Sequence, residues 1–181
     1  MNYSFEFENS HLNLSYTLEC GQTFRWKRLD DGFYYGVAGP NFVRIKQTGQ
    51  LFQAELANDT APGEAEAVAS FRQYFGLDQD FEYQKITADL KTDDHITRAI
   101  SRYYGLRLLV QPAFEILISF ILSANHNITA VSRTVQAISK KYGQTLVLGR
   151  YRGYTFPTPE QLLAASEDEL AGELGAEYRA K

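Results

Sequence analysis

The chain has 181 residues, 44% of them hydrophobic and 14% aromatic, which is enough for a packed core in one large domain or two small ones. A single cysteine, Cys20, excludes an internal disulfide and any zinc or iron–sulfur site built on several cysteines, and His11, His95 and His126 show no metal-ligand spacing, so neither metal nor cofactor is expected. The net charge of −4 argues against a uniformly basic surface, yet residues 98–154 carry 8 Lys/Arg against one acid, Glu115, whereas residues 1–97 carry 8 against 15 and residues 155–181 carry 2 against 6. A basic block this free of acids favours a polyanion partner over an ordinary solvated surface.

The N-terminus, MNYSFEFENS, lacks the basic start and apolar core of a signal peptide, and no apolar run approaches the roughly 20 residues that cross a bilayer. The expected location is therefore the cytoplasm, with no membrane partner. Alternation of Leu12, Leu14, Tyr16 and Leu18 predicts a strand over Leu12–Leu18. Further strands are expected over Thr23–Leu29, Phe33–Ala38, Phe42–Gln47 and Leu51–Leu56, joined by turns at Asp30-Asp31-Gly32, Gly39-Pro40-Asn41 and Thr48-Gly49-Gln50. The result is a meander with one face to cover. Helical spacing of Ala65, Val68, Phe71 and Phe75 before Gly76 predicts the covering helix. A second helix is expected over Phe81–Leu90, and a third from an N-cap at Thr92 or Asp93 to Gly105; Leu106–Val110 reads as extended.

The stretch QPAFEILISFILSANHNI, residues 111–128, predicts a helix buried on nearly every side, with Pro112 in its first turn and Glu115, Ser119 and Ser123 in one narrow stripe. It ends in Asn125-His126-Asn127. These side chains can serve a binding surface, or Asn125 or Asn127 can simply cap the next helix, which spacing alone favours. That next helix carries Val131, Val135, Ile138 and Tyr142 inside and Arg133, Lys140 and Lys141 outside, where they could meet phosphates. Thr158-Pro159-Glu160-Gln161 and Ser166-Glu167-Asp168-Glu169 are capping boxes for two short helices. No triad, phosphate loop, metal box or carboxylate pair is present in sequence; Cys20 lacks an activating neighbour, and His126 suits a DNA-facing or capping role better than general-base catalysis. Glycine at Gly21 serves either a backbone turn or the close approach of a ligand.

GQTFRW at 21–26, YYGLRLL at 103–109, FEILISFILSANHNI at 114–128, FPTPEQLLAAS at 156–166 and LGAEYRAK at 174–181 together resemble an 8-oxoguanine DNA glycosylase of the helix-hairpin-helix superfamily. The resemblance implies an α+β fold. Residues 1–108 would form a twisted antiparallel sheet with helices, like half of the TATA-binding protein, and residues 109–181 the first part of an all-α glycosylase domain. It implies duplex DNA as partner and base flipping as the mode of access. Gly21 would bring a backbone carbonyl to the lesion, whose N7 carries a hydrogen where normal guanine has an acceptor. Asn125 would enter the space left by the flipped base, Tyr178 would wedge into the stack and Arg179 would hydrogen-bond the orphaned cytosine, with His126 and Asn127 alongside. Eukaryotic members read the cytosine with a further arginine where Ala130 stands, which implies a relaxed, bacterial-type choice of opposite base. The family's glycine-rich hairpin, nucleophilic lysine and assisting aspartate lie beyond the matched residues, and Lys181 is not that lysine. The 181-residue chain is thus expected to be inactive alone, with self-association through the exposed face of its incomplete helical part. The alternative reading is a stand-alone, non-catalytic DNA-binding or interaction module.

Overall fold

Residues 2–8 alternate aromatic and polar side chains, and in the computed structural model, which describes residues 1–60 and 63–180, they form strand β1 (Asn2–Glu8), with Tyr3, Phe5 and Phe7 packed on the core. This strand is absent from the meander expected above. It pairs antiparallel with β5 (Leu51–Ala57), which pairs with β4 (Asn41–Thr48), then β3 (Tyr34–Ala38) and the short β2 (Lys27–Arg28), giving the order β1-β5-β4-β3-β2. Of the run at Thr23–Leu29 only β2 is strand. The strand expected over Leu12–Leu18 is instead helix α1 (Leu14–Leu18). Asn13 caps it by accepting from the Tyr16 N–H at 3.1 Å, and Gln47 accepts from the Leu14 N–H at 2.9 Å, so these backbone donors are satisfied without a sheet partner. Leu14, Thr17 and Leu18 are its buried face, a spacing that a five-residue run cannot separate from alternation.

Helix α2 (Glu64–Phe75) lays Ala67, Phe71, Tyr74 and Phe75 on one sheet face and stops at Gly76, whose φ of 63° is left-handed and whose N–H returns to Arg72 and Gln73. Phe7 stacks on Phe52 at 4.8 Å beneath it. The opposite face is covered as well. A hairpin of β6 (Thr145–Leu148) and β7 (Tyr151–Tyr154) buries Leu146 and Leu148 against Tyr35, Val37, Phe42 and Ala57. Gly149, with φ 58°, takes the first position of its two-residue turn, as hairpin twist favours. The hairpin corrects two expectations: the sheet has two covered faces, and the part after residue 108 is not all-α.

Helices α3 (Asp80–Asp89) and α4 (Asp94–Arg102, capped by Asp93) bury no residue fully; α4 ends three residues before Gly105. The following segment makes no strand but is pinned through Arg107, whose guanidinium donates to the carbonyls of His11 (3.1 Å) and Gly76 and to Asp80, while the Val110 N–H donates to Tyr74 (2.9 Å). This member of the basic block is buried structure. Helices α5 (Ala113–Ser123), α6 (Ile128–Tyr142), α7 (Pro159–Leu162) and α8 (Glu167–Ala171) and a 3-10 turn at Glu177–Ala180 follow, around a core of Leu122, Val131, Val135, Ile138, Leu174 and Ala176. Pro112 occupies the N-cap of α5 and the helix begins at Ala113. Among the described residues no helix is long and apolar enough to cross a membrane. Lys181 lies outside the described residues.

Helix α5 departs most from expectation. Glu115, Ser119 and Leu122 face inward, whereas Ile116, Leu117, Ile121 and Phe120, the last 75% exposed, face solvent. The polar stripe is the inner one because Glu115 meets a buried cation, Arg25, at 3.2 Å.

Candidate nucleic-acid interface

Ala124 ends α5, and the chain reverses through Asn125, whose φ of 54° is left-handed; asparagine is among the few side chains that take this conformation readily. The His126 N–H returns to the Ser123 carbonyl at 3.1 Å. Asn127 then caps α6, its side-chain oxygen accepting from the Ala130 N–H at 2.9 Å. The capping reading holds for one of the two asparagines. Asn127 is the cap, and Asn125 is exposed at the turn.

The 3-10 turn at Glu177–Ala180 docks on this loop. Arg179 donates to the Ala124 carbonyl through Nε at 2.8 Å and through a second nitrogen, and its side chain is only 2% exposed. Tyr178 lies over that guanidinium, with 4.3 Å from the charge to the ring centroid, and accepts from the Asn125 amide at 3.2 Å while remaining 57% exposed. Asn125 and Tyr178, 53 residues apart in sequence, thus stand together on the surface, and Arg179 is turned inward to hold them. His126 reaches the Glu177 carboxylate at 3.6 Å.

Gly21, with φ 89°, arrives from the other half of the molecule: a Cβ built on it would stand 3.3 Å from Cδ1 of Ile128, the first residue of α6. Its position is set by neighbours that sequence reasoning passed over. The Gln22 amide donates to the carbonyls of Thr17 (2.8 Å) and Arg107 (2.7 Å), its oxygen accepts from the Leu109 N–H (2.9 Å), and its own carbonyl accepts from Gln111 (2.9 Å). Ser132 of α6 donates to the Phe24 carbonyl at 2.9 Å. Arg25 is buried between Glu115 and the Tyr154 carbonyl. Burial lowers the Arg25 pKa and raises that of Glu115, and their mutual attraction opposes both shifts. The one signal in sequence for this pair was that Glu115 is the only acid in the basic block.

Of the cations expected to meet phosphate, Arg133 is exposed and makes no side-chain bond among the described residues. Lys141 is engaged by Glu169 and by Glu173 at 3.0 Å. Lys140 is exposed near the other end of α6, more than three turns from Asn127. No group of three or more His, Cys, Asp or Glu among the described residues could hold a metal ion.

Gly21 thus lies beside Ile128 at the start of α6, and the Asn125–Tyr178 pair stands at the loop that precedes that helix. The same arrangement of elements occurs in the 8-oxoguanine glycosylase/lyase of Clostridium acetobutylicum, to whose apo structure this chain is 31% identical, with a TM-score of 0.87 over 98% of this chain and 60% of that one. A structure of that enzyme with double-stranded DNA containing cytosine opposite 8-oxoG matches with 30% identity and a TM-score of 0.84 over 97% and 61%. The N-glycosylase/DNA lyase OGG1 of Arabidopsis thaliana is 28% identical over 99% of this chain and 48% of its own length. The chain spans about half the length of the curated relatives it matches over its whole extent. Residues 4–117 match the 8-oxoguanine DNA glycosylase N-terminal domain, and it is to this family that the chain belongs.

Proposed function

We propose that this chain carries the lesion-recognition and strand-opening part of 8-oxoguanine excision from duplex DNA, acting on DNA in the cytoplasm. The packing of Gly21 on Ile128, three residues after Asn125, which itself bonds Tyr178, carries the reading. A flipped base is read by groups lining its pocket, and the gap it leaves must be filled if the duplex is not to re-close. Gly21 offers its carbonyl to the N7 hydrogen of the oxidised base, which normal guanine lacks. Asn125 fills the gap and Tyr178 wedges the stack. Arg179 positions both through the Ala124 carbonyl and lies beneath them, where turning outward would bring it to the orphaned cytosine. Arg133 contacts a phosphate. Ala130, partly buried, adds no side-chain donor, which relaxes the choice of base opposite the lesion.

Neither Cys20, which is exposed and donates to the Thr17 carbonyl, nor Lys141, which is held by Glu169 and Glu173 at the surface, is poised as the nucleophile. The chain spans about half the length of its curated relatives, and excision and strand cleavage are assigned to the whole protein. The test is fluorescence anisotropy of the chain on duplexes containing 8-oxoguanine or guanine, with borohydride trapping alongside. Preference for the lesion duplex, lost in Gly21→Ala, with no trapped adduct, is the expected result. Equal binding of both duplexes by the native chain and by Gly21→Ala would refute the recognition reading, and a covalent adduct would refute the division of labour.

A further inference from the structure

A cleft of about 300 Å³ lies at the seam between the sheet, the C-terminal half of α6 and β7. Its apolar side is formed by the half-buried Leu29, Tyr151 and Tyr154, with Val37 and Phe42 buried behind them. Lys27 from β2, Lys140 from α6 and Arg152 from β7 stand around it, and Arg25 lies at its base. No acidic side chain lines it, in a chain whose net charge is −4. The carboxylates nearest to it are already engaged. Asp31 accepts from the Tyr35 hydroxyl at 2.7 Å and from Arg44, and Glu115 is paired with Arg25. Lys27, Lys140 and Arg152 make no side-chain hydrogen bond or ion pair among the described residues, and each is exposed.

Three unpaired cations brought together from three elements repel one another unless an anion joins them. The partly exposed Leu29, Tyr151 and Tyr154 favour an occupant with a flat apolar part over a bare inorganic ion, which would leave that surface uncovered. The volume sits at the small end of ligand pockets, which suits one planar ring system and its charged group rather than a length of polymer. We propose that this cleft binds a planar anion of the nucleoside monophosphate class, its phosphate among Lys27, Lys140 and Arg152 and its base against Leu29, Tyr151 and Tyr154. The site is separate from the recognition surface, which lies at the N-terminal end of α6. That helix is about 22 Å long at its 15 residues.

Deoxyguanosine monophosphate, deoxyguanosine and inorganic phosphate titrated separately into the 15N-labelled chain provide the test. The monophosphate should give saturable amide shifts confined to residues 27–29, 136–140 and 151–154. It should bind about tenfold more tightly than either of its halves, and Lys140→Glu and Arg152→Glu should each weaken it about tenfold without lowering the melting temperature. The absence of a saturable shift would overturn the proposal, as would phosphate binding as tightly as the monophosphate, or an affinity unchanged in both variants. So would a duplex oligonucleotide that moves the same amides and is displaced by the monophosphate, since the cleft would then belong to the DNA track.

Discussion

Removing the Glu115 carboxylate tests how the sheet is fastened to the helical part. The Arg25 and Glu115 side chains are 4% and 8% exposed and meet at 3.2 Å, and Arg25 also donates to the Tyr154 carbonyl. The pKa of each is shifted against its charged form, so burial costs this pair more than its attraction returns. Glu115→Ala strands the guanidinium and should cost about 3–5 kcal/mol, whereas Arg25→Met with Glu115→Leu removes both charges and should fall within about 1 kcal/mol of the native chain. Against a typical total of about 5–15 kcal/mol, the single change is severe. Its sign with pH also follows. The folded Glu115 pKa is raised above its unfolded value, so the folded state holds this proton more tightly. The contribution of the group to stability is therefore greatest in acid and declines as pH rises from the ordinary carboxylate range through the raised folded value. Glu115→Gln should flatten that decline. Urea denaturation followed by fluorescence of Trp26, the single tryptophan, measures all of these, and single variants costing less than about 1 kcal/mol or adding up in the double would refute the reasoning.

Asn127→Ala should lower stability by about 1 kcal/mol through loss of the α6 cap and leave lesion-duplex affinity nearly unchanged. Asn125→Ala should do the reverse, which paired thermal melts and anisotropy titrations would show. Gly153→Ala places a Cβ 2.4 Å from the Phe42 ring and should destabilise by about 1–3 kcal/mol in a urea titration. In a salt series, Arg133→Ala should reduce the slope of log affinity against log salt by about 0.9. Lys141→Ala should leave it unaltered, because that ammonium is already held by two carboxylates.

The legible parts of this fold were those written in local chemistry. Strands β3 to β5 lie between strong turn signals, α2 stops at a glycine that adopts positive φ, and Asp93, Asn127, Thr158 and Ser166 cap helices as their spacing indicates. Misreadings came where a partner distant in sequence decided the outcome. Leu12 to Leu18 alternates, but Asn13 and Gln47 satisfy the backbone as a helix. Leu146 and Leu148 form a β-hairpin only because an apolar sheet face formed by Phe42 and Ala57 awaits them. The site divides in the same way. Gly21, Asn125 and Tyr178 were named from motif resemblance, and Asn127 from capping, but periodicity cannot reveal that Arg107 is buried, that Lys141 is neutralised by Glu169 and Glu173, or that Gln22 binds four backbone and side-chain partners.

Discriminating 8-oxoguanine from guanine by one hydrogen requires an acceptor held to within about 0.5 Å, and loops by themselves are seldom that well fixed. The loop bearing Gly21 is sewn to the helical part on either side of Thr23: Gln22 to the segment at 107–111, Phe24 to α6 and Arg25 to α5. Each stitch consumes a polar group that would otherwise be costly to bury. The same helices carry the Asn125 turn between them, so Gly21 and Asn125, to which the proposed function gives lesion reading and gap filling, share one frame. A change at Arg25 or Gln22 should therefore impair lesion discrimination without touching DNA, by loosening the distance between Gly21 and Ile128 on which the reading depends.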